Sequence, residues 1–238
     1  MQDATFKESD SARRAAEELW LKVMSDFDNE TFNLPKITSI VSENMNVLDI
    51  SDLNNYLFVG DSIIRNLGYD QKIPATSILA YPSLGPGSMY NQLSTFDNKD
   101  YNISTYTMIS NIKPQNIIFN YGICTLEVTR LDFVLEYYNN MLDDIGMYAP
   151  NANIFVASIL PIQGNSAGTK PNNETINTLN YFLAKMCEDR DIPFLNVAEA
   201  LKNENGLGNF NYYDESGYHL NSEGEDVYVD YILRYLGE

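Results

Sequence analysis

The sequence predicts an α/β fold, a parallel β-sheet with helices packed against it. Three features point there. From residue 55 onward, short apolar runs alternate with longer segments of helical period, the pattern of a sheet flanked by helices. The apolar runs are nearly unbroken rather than alternating with polar residues, as strands buried on both faces require. Glycines and small polar residues follow several of these runs and so collect on one rim.

The first strand is expected at 56–59 (Tyr-Leu-Phe-Val) and ends at Gly60-Asp61-Ser62. A second, at 77–81, leads into Ser83-Leu84-Gly85-Pro86-Gly87. A third, at 116–121, leads into Gly122-Ile123-Cys124-Thr125. Runs at 153–159 and 193–197 supply a fourth and a fifth. Helical periodicity marks 131–147, 173–189 and 222–236. In open sheets of this kind, ligands bind at the carboxyl ends of the strands, where the strand order reverses. The Gly-containing segments therefore mark the rim where chemistry is expected.

Residues 1–54 read differently. An amphipathic helix is expected at 11–27, capped by Asp10 or Ser11, with Ala16, Leu19, Trp20, Val23 and Met24 near one face. Residues 28–54 are polar and irregular, with Asn33-Leu34-Pro35 among them. The stretch is too short to bury a sizeable core alone. It is expected to be an N-terminal arm or packing extension and a candidate contact with a larger assembly, with the domain proper at 55–238.

Composition narrows the partners. The 238-residue chain is 44% hydrophobic and 20% charged, ordinary values for a globular protein, and carries a net charge of -18. That charge argues against a phosphate-backbone binder, which needs clustered Lys and Arg, and repels an anionic membrane surface. A neutral or cationic partner, such as an acylated polysaccharide or small molecule, is compatible. Strong acidity also serves solubility alone. No apolar run is long enough to span a bilayer. The first ten residues lack the basic and apolar regions of a signal peptide, while extracellular, virion and cytoplasmic settings all stay open. Two cysteines, Cys124 and Cys187, make no disulfide framework and lack zinc spacing; a single histidine argues against a multi-His metal site.

The residues that carry chemistry are Ser62 and His219. A serine hydroxyl is a poor nucleophile unless a base accepts its proton, and the oxyanion it creates needs donors. Ser62 stands at a strand-to-helix junction, where its own N–H opens the helix. Gly-Asp-Ser by itself is equally the turn that ends a strand and caps a helix. His219 shifts that balance. It is the chain's sole histidine, and it lies in Asp214-Glu215-Ser216-Gly217-Tyr218-His219-Leu220-Asn221, directly before the last helix.

Gly60-Asp61-Ser62 after a strand, the Gly85/Gly87 loop, the Gly122 strand end and Gly-Tyr-His-Leu-Asn before the final helix resemble, in order, the blocks of the SGNH (GDSL-like) hydrolases. The resemblance covers about residues 55–236. It implies a three-layer α/β/α sandwich around a parallel five-stranded sheet, similar to flavodoxin, and an esterase, lipase, thioesterase or carbohydrate deacetylase without a cofactor. It implies Ser62 as nucleophile, His219 as base, and oxyanion donors from the Ser62 N–H and from Gly87 or Gly85.

Two blocks depart from the family. The third normally reads Gly-x-Asn-Asp, whose Asn donates to the oxyanion; here the position is Cys124, and a thiol is a much weaker donor than an amide. Thr125 and Asn120 are alternative donors, and Cys124 is itself an alternative nucleophile. The last block normally reads Asp-x-x-His, but Ser216 stands three residues before His219. Asp214 is the candidate acid if the loop brings it back; otherwise it is a solvated loop carboxylate and the pair is a Ser–His dyad.

The function expected is a serine esterase that removes acetyl or other short acyl groups from a glycan or small ester. The alternative is a catalytically weakened module of the same scaffold in a phage tail, baseplate or bacterial surface complex. Acyl transfer uses the same residues and differs in excluding water. Six tyrosines near the rim (Tyr81, Tyr90, Tyr121, Tyr212, Tyr213, Tyr218) suit sugar stacking or plain packing.

Overall fold

In the computed structural model, which describes residues 37–164 and 171–236, the run Tyr56–Gly60 forms β1, a central strand of the sheet. Leu57, Phe58 and Val59 are buried, and in register beside them lie Ile117, Ile118 and Phe119 of β5 (Asn116–Asn120), equally buried. On its other side β1 pairs in parallel with β2 (Ile78–Ala80). Beyond β5, β6 (Asn153–Ala157) and β7 (Phe194–Leu195) continue the parallel order. These five strands fall where the apolar runs predict them.

The sheet carries two more. β3 (Ser94–Phe96) and β4 (Lys99–Tyr101) form an antiparallel hairpin on the edge of β2, giving the order β4-β3-β2-β1-β5-β6-β7. The expected five-stranded sheet is thus corrected to seven strands. The hairpin turns on Asp97 and Asn98, with φ of 51° and 56°, the two-residue loop whose twist matches that of the flanking strands. Lys99 and Asp100 are exposed, and such charges discourage a further strand from pairing there.

Six helices of the described residues cover both faces. α1 (Ser62–Tyr69) follows β1 and buries Ile63, Ile64 and Leu67. α2 (Thr105–Ile112), α3 (Ile123–Val128), α4 (Leu131–Tyr148) and α5 (Asn173–Asp189) follow on the way through β5 to β7. α4 presents Val134, Tyr138, Met141, Leu142 and Ile145 as one buried stripe, and packs against α2 and α5. α6 (Ser222–Tyr235) closes the chain and buries Tyr228, Tyr231 and Ile232. With right-handed crossovers, α2, α4 and α5 fall on one face of the sheet. α1 and α6 share the other, where Lys72, just beyond α1, pairs with Asp226 of α6.

The described chain from residue 38 belongs to the same compact unit as the sheet. Ile40 bridges in parallel to Phe194, with Val41 N–H donating to the Phe194 carbonyl at 3.0 Å. Asn44 and Leu48 donate to carbonyls of Arg234 and Leu233 near the end of α6. The helix expected at 11–27 lies outside the described residues.

Because β2 and β5 flank β1 on opposite sides, the strand order reverses at β1. The segment after β1 is therefore the point where a ligand crevice opens, and Ser62 is in it.

Candidate active site

Backbone crowding fixes where Ser62 sits. A Cβ on Gly60 would stand 2.5 Å from the Asn120 carbonyl and 2.4 Å from Ile64 Cγ1, so only glycine lets β1 and β5 close up while α1 starts at once. Asp61 then caps α1: its Oδ1 accepts the Ile63 N–H at 3.1 Å, and its carboxyl also receives the N–H of Gly122 at the end of β5. Asp61 is thus the clamp between two strand ends. It is fully buried, and desolvation raises its pKa to about 7 against those backbone donors, which pull it down. Gly122, at φ 143°, takes a conformation that side chains rarely adopt, and a Cβ there would reach within 2.3 Å of Ile159 Cδ1.

The second half of the site comes from the loop before α6. Tyr213 bridges Leu220 across it, Asp214 N–H donates to the His219 carbonyl at 3.0 Å, and Gly217 N–H donates to the Asp214 carbonyl at 3.1 Å. The Tyr213 hydroxyl holds the Pro161 carbonyl, and Gln163 N–H donates to the Gly217 carbonyl. Asn221 then caps α6, accepting from Gly224 N–H at 3.0 Å. The loop is pinned at both ends, and His219 projects from it onto the serine. Its Nε2 lies 3.0 Å from Ser62 Oγ, across a separation of 157 residues.

The other nitrogen of His219 faces an oxygen. Ser216 Oγ stands 3.4 Å from Nδ1. The carboxylate of Asp214 accepts both the Ser216 N–H, at 2.9 Å, and the Ser216 hydroxyl. Asp214 therefore meets Ser216, and Ser216 meets the imidazole.

The remaining expected residues divide. Cys124 is beside the serine: its thiol has hydrogen-bonding contact with the Ser62 side chain and with the backbone of Ser83. Burial pushes this thiol up to about 12, so it is neutral at pH 7, the opposite of what a nucleophilic cysteine needs. Asn120, weighed as a substitute donor, spends its amide on the Ser158 carbonyl at 2.8 Å inside the core. Gly85 abuts the Thr125 hydroxyl and Gly87 the ring of Tyr137. The backbone that meets Cys124 belongs instead to Ser83, a residue the sequence does not flag. Ser83 adopts φ 62°, left-handed backbone that a search for glycines passes over.

Next to this rim opens a cleft of about 480 Å³, lined by Pro86, Gly87, Tyr90, Tyr106, Tyr137 and Asp144 among others. Tyr106 stacks on Tyr148 at 4.4 Å, Tyr90 packs on Tyr106 at 4.7 Å, and the Tyr90 hydroxyl donates to Asp144 at 3.1 Å. The ring of Tyr90 is largely exposed. Of the six tyrosines named from sequence, only Tyr90 lines this cleft; Tyr106 and Tyr137 join it from α2 and α4.

The sequence profile of the GDSL-like lipase/acylhydrolase family matches residues 58–227. The chain belongs to this family. No curated protein matches it in sequence. Among solved structures of similar fold is a GDSL-like lipase from Bacteroides thetaiotaomicron, 16% identical, with TM-score 0.57 over 77% of this chain and 88% of that one. A carbohydrate esterase family 3 protein from Talaromyces cellulolyticus is 15% identical, with TM-score 0.51 over 76% and 95%. The periplasmic domain of a lipopolysaccharide acetyltransferase from Salmonella ser. Paratyphi A is 13% identical, with TM-score 0.51 over 75% and 82%. At these identities the likeness is one of fold, and that fold is the mixed α/β sheet with helices on both sides expected from sequence. Family membership makes this chain kin to hydrolases of ester substrates. Among the described residues no helix is long and apolar enough to cross a membrane, and no group of three or more His, Cys, Asp or Glu gathers as for a metal ion.

Proposed function

We propose that this protein is a serine esterase that removes acetyl or other short acyl groups from a neutral glycan. The observation that carries the reading is the 3.0 Å contact between Ser62 Oγ and His219 Nε2 at the strand-order reversal. In this reading Ser62 Oγ attacks the ester carbonyl carbon while its proton passes to Nε2. The carbonyl π electrons move onto oxygen, facing the Ser62 N–H at the start of α1, where intrahelical acceptors do not exist. Collapse breaks the bond to the alcohol oxygen, which takes the proton back from Nε2 and leaves Ser62 acylated. Water then repeats the sequence, with His219 again as base, and frees the acid.

The glycan half of the reading rests on the tyrosine cleft. Gly87 lies four residues, at most roughly 14 Å of chain, beyond Ser83, whose backbone meets the same Cys124 thiol that contacts Ser62. Aromatic faces with carboxylate and amide neighbours (Tyr90, Tyr137, Asn140, Asp144) suit a ring that is apolar on its face and hydroxylated at its edge. An overall charge of -18 disfavours anionic substrates.

The test has two arms. Purified protein should hydrolyse p-nitrophenyl acetate, and S62A should reduce the rate to that of buffer; equal rates in the two proteins would end the serine reading. On an acetylated xylan, Y90A should raise KM about tenfold, the scale of one lost aromatic contact, and leave the rate on p-nitrophenyl acetate unchanged. A KM unmoved by Y90A removes the glycan from the cleft.

A further inference from the structure

We infer that Ser216 is a positioning residue for His219, its hydroxyl relaying the hold of the Asp214 carboxylate onto Nδ1. The inference deepens the esterase reading and rests on it, since His219 needs a fixed tautomer only if it serves Ser62 as base.

The argument is one of donor counting. A serine hydroxyl has one hydrogen to give and two lone pairs to receive with, which three N–H groups can share only as longer, three-centre contacts. Around Ser216 Oγ stand two groups that can only donate, the N–H of Tyr218 at 3.2 Å and of His219 at 3.3 Å. One neighbour, the Asp214 carboxylate, can only accept. The hydroxyl hydrogen therefore goes to Asp214, and the oxygen is left as an acceptor. The third nitrogen facing that oxygen is His219 Nδ1, at 3.4 Å. An oxygen whose hydrogen is committed elsewhere is well placed only against Nδ1–H; against a bare Nδ1, two lone pairs would oppose each other.

The consequence appears on the far side of the ring. With the proton on Nδ1, Nε2 carries a lone pair, and Ser62 Oγ lies 3.0 Å from it. When Nε2 takes the serine proton, the imidazolium keeps its Nδ1 hydrogen on Ser216, and the negative charge of Asp214 is felt through one intervening O–H. No proton leaves Nδ1, and the Ser216 hydroxyl keeps its hydrogen towards Asp214. The family's aspartate three residues before the histidine is thus replaced by a serine at that position plus a carboxylate two residues earlier. The loop hydrogen bonds from Asp214 to His219 and from Gly217 to Asp214 bring the three together. Asp214 and Ser216 are exposed, so water competes and the effect is that of one hydrogen bond, about tenfold.

His219 is the only histidine, so the imidazole ¹⁵N spectrum of the whole protein reports on this ring alone. With the imidazole neutral, the wild type should show one protonated nitrogen, Nδ1, and one bare nitrogen, Nε2. S216A should draw the two resonances towards each other and lower kcat/KM on p-nitrophenyl acetate about tenfold. D214N should move both readouts in the same direction, and S216T, which keeps the hydroxyl, should restore them. Should S216A not fold, D214N and S216T still decide the matter. Resonances unchanged in D214N would overturn the relay. The spectrum needs no turnover, so an inactive S62A control speaks to the esterase reading and the ¹⁵N shifts speak to Ser216 separately.

Discussion

The buried carboxyl beside Ser62 makes stability depend on pH in a direction that one substitution can isolate. Asp61 is sealed between β1, β5 and α1, and its pKa rises from 3.8 to about 7, chiefly by desolvation. Between those values the folded protein holds a proton that the unfolded chain has released, so stability falls as pH rises. The contribution is fully present below pH 3.8 and is lost by the time pH passes 7. Three units at 1.36 kcal/mol each make the loss about 4 kcal/mol, large against a typical total of about 5–15 kcal/mol. D61N removes the titration while keeping a carbonyl oxygen for the Ile63 N–H and a residue type favoured at helix starts. Urea unfolding of both proteins at pH 5, 6, 7 and 8 gives the comparison. Glu225, buried in α6 and also raised to about 7 by desolvation and by Asp70, titrates in both and cancels in the difference. Two of those three units lie above pH 5, so the wild type should lose about 3 kcal/mol relative to D61N across that range. Parallel stability curves for the two proteins would refute the claim that Asp61 is held protonated by burial.

Three further outcomes follow from the site. C124A should cost less than about tenfold in kcat on p-nitrophenyl acetate, since a thiol is a weak donor, whereas C124N should raise kcat by up to about 10²-fold, the worth of one oxyanion amide; a larger loss in C124A than the gain in C124N would reverse the assignment. Both thiols are pushed up to about 12 by burial, so alkylation by iodoacetamide at pH 8 should run about 10³-fold slower in the folded protein than in guanidinium. Fast native labelling, read by mass spectrometry, would contradict it. G122A should destabilise by about 2–4 kcal/mol in urea, from strain at φ 143° and the clash with Ile159, and an unchanged midpoint would show that the β5 end can relax.

The parallel strands and the three longest helices were legible because burial on both faces and helical amphipathicity leave unambiguous patterns. The predicted helices at 131–147, 173–189 and 222–236 agree with α4, α5 and α6 to within one residue at each end. What escaped lacks such a pattern. α2 is built of Thr105-Tyr106-Thr107-Met108-Ile109-Ser110-Asn111-Ile112, β-branched and aromatic residues that disfavour helix on their own. It forms because Ser104 caps it and because Tyr106, Met108 and Ile109 are buried. The β3–β4 hairpin is two three-residue strands at a polar edge, where the Asp97-Asn98 turn was the only cue. In the site, Ser62 and His219 stand out as residue types at particular junctions. Ser83 and Ser216 do not, because their contribution is a backbone angle in one case and the direction of a single O–H in the other.

The division between legible and hidden parts has a physical cause that also bears on substrate choice. The Ser62–His219 contact joins two segments, each of which announces itself: a strand end with Gly60 and a loop with the sole histidine. The tyrosine cleft joins three segments that do not, namely the loop at 86–90, α2 through Tyr106 and α4 through Tyr137 and Asp144. Each tyrosine alone reads as packing, and Tyr106 is indeed buried against Tyr148. Only the sheet order, which places α2 and α4 side by side on one face, turns Tyr90 and Tyr137 into walls of a common cleft. The proposed reaction is thus written locally in this chain, while the surface proposed to select a glycan is a product of topology. Substitutions at Tyr90 or Tyr137 should therefore alter which esters are cleaved without altering how they are cleaved.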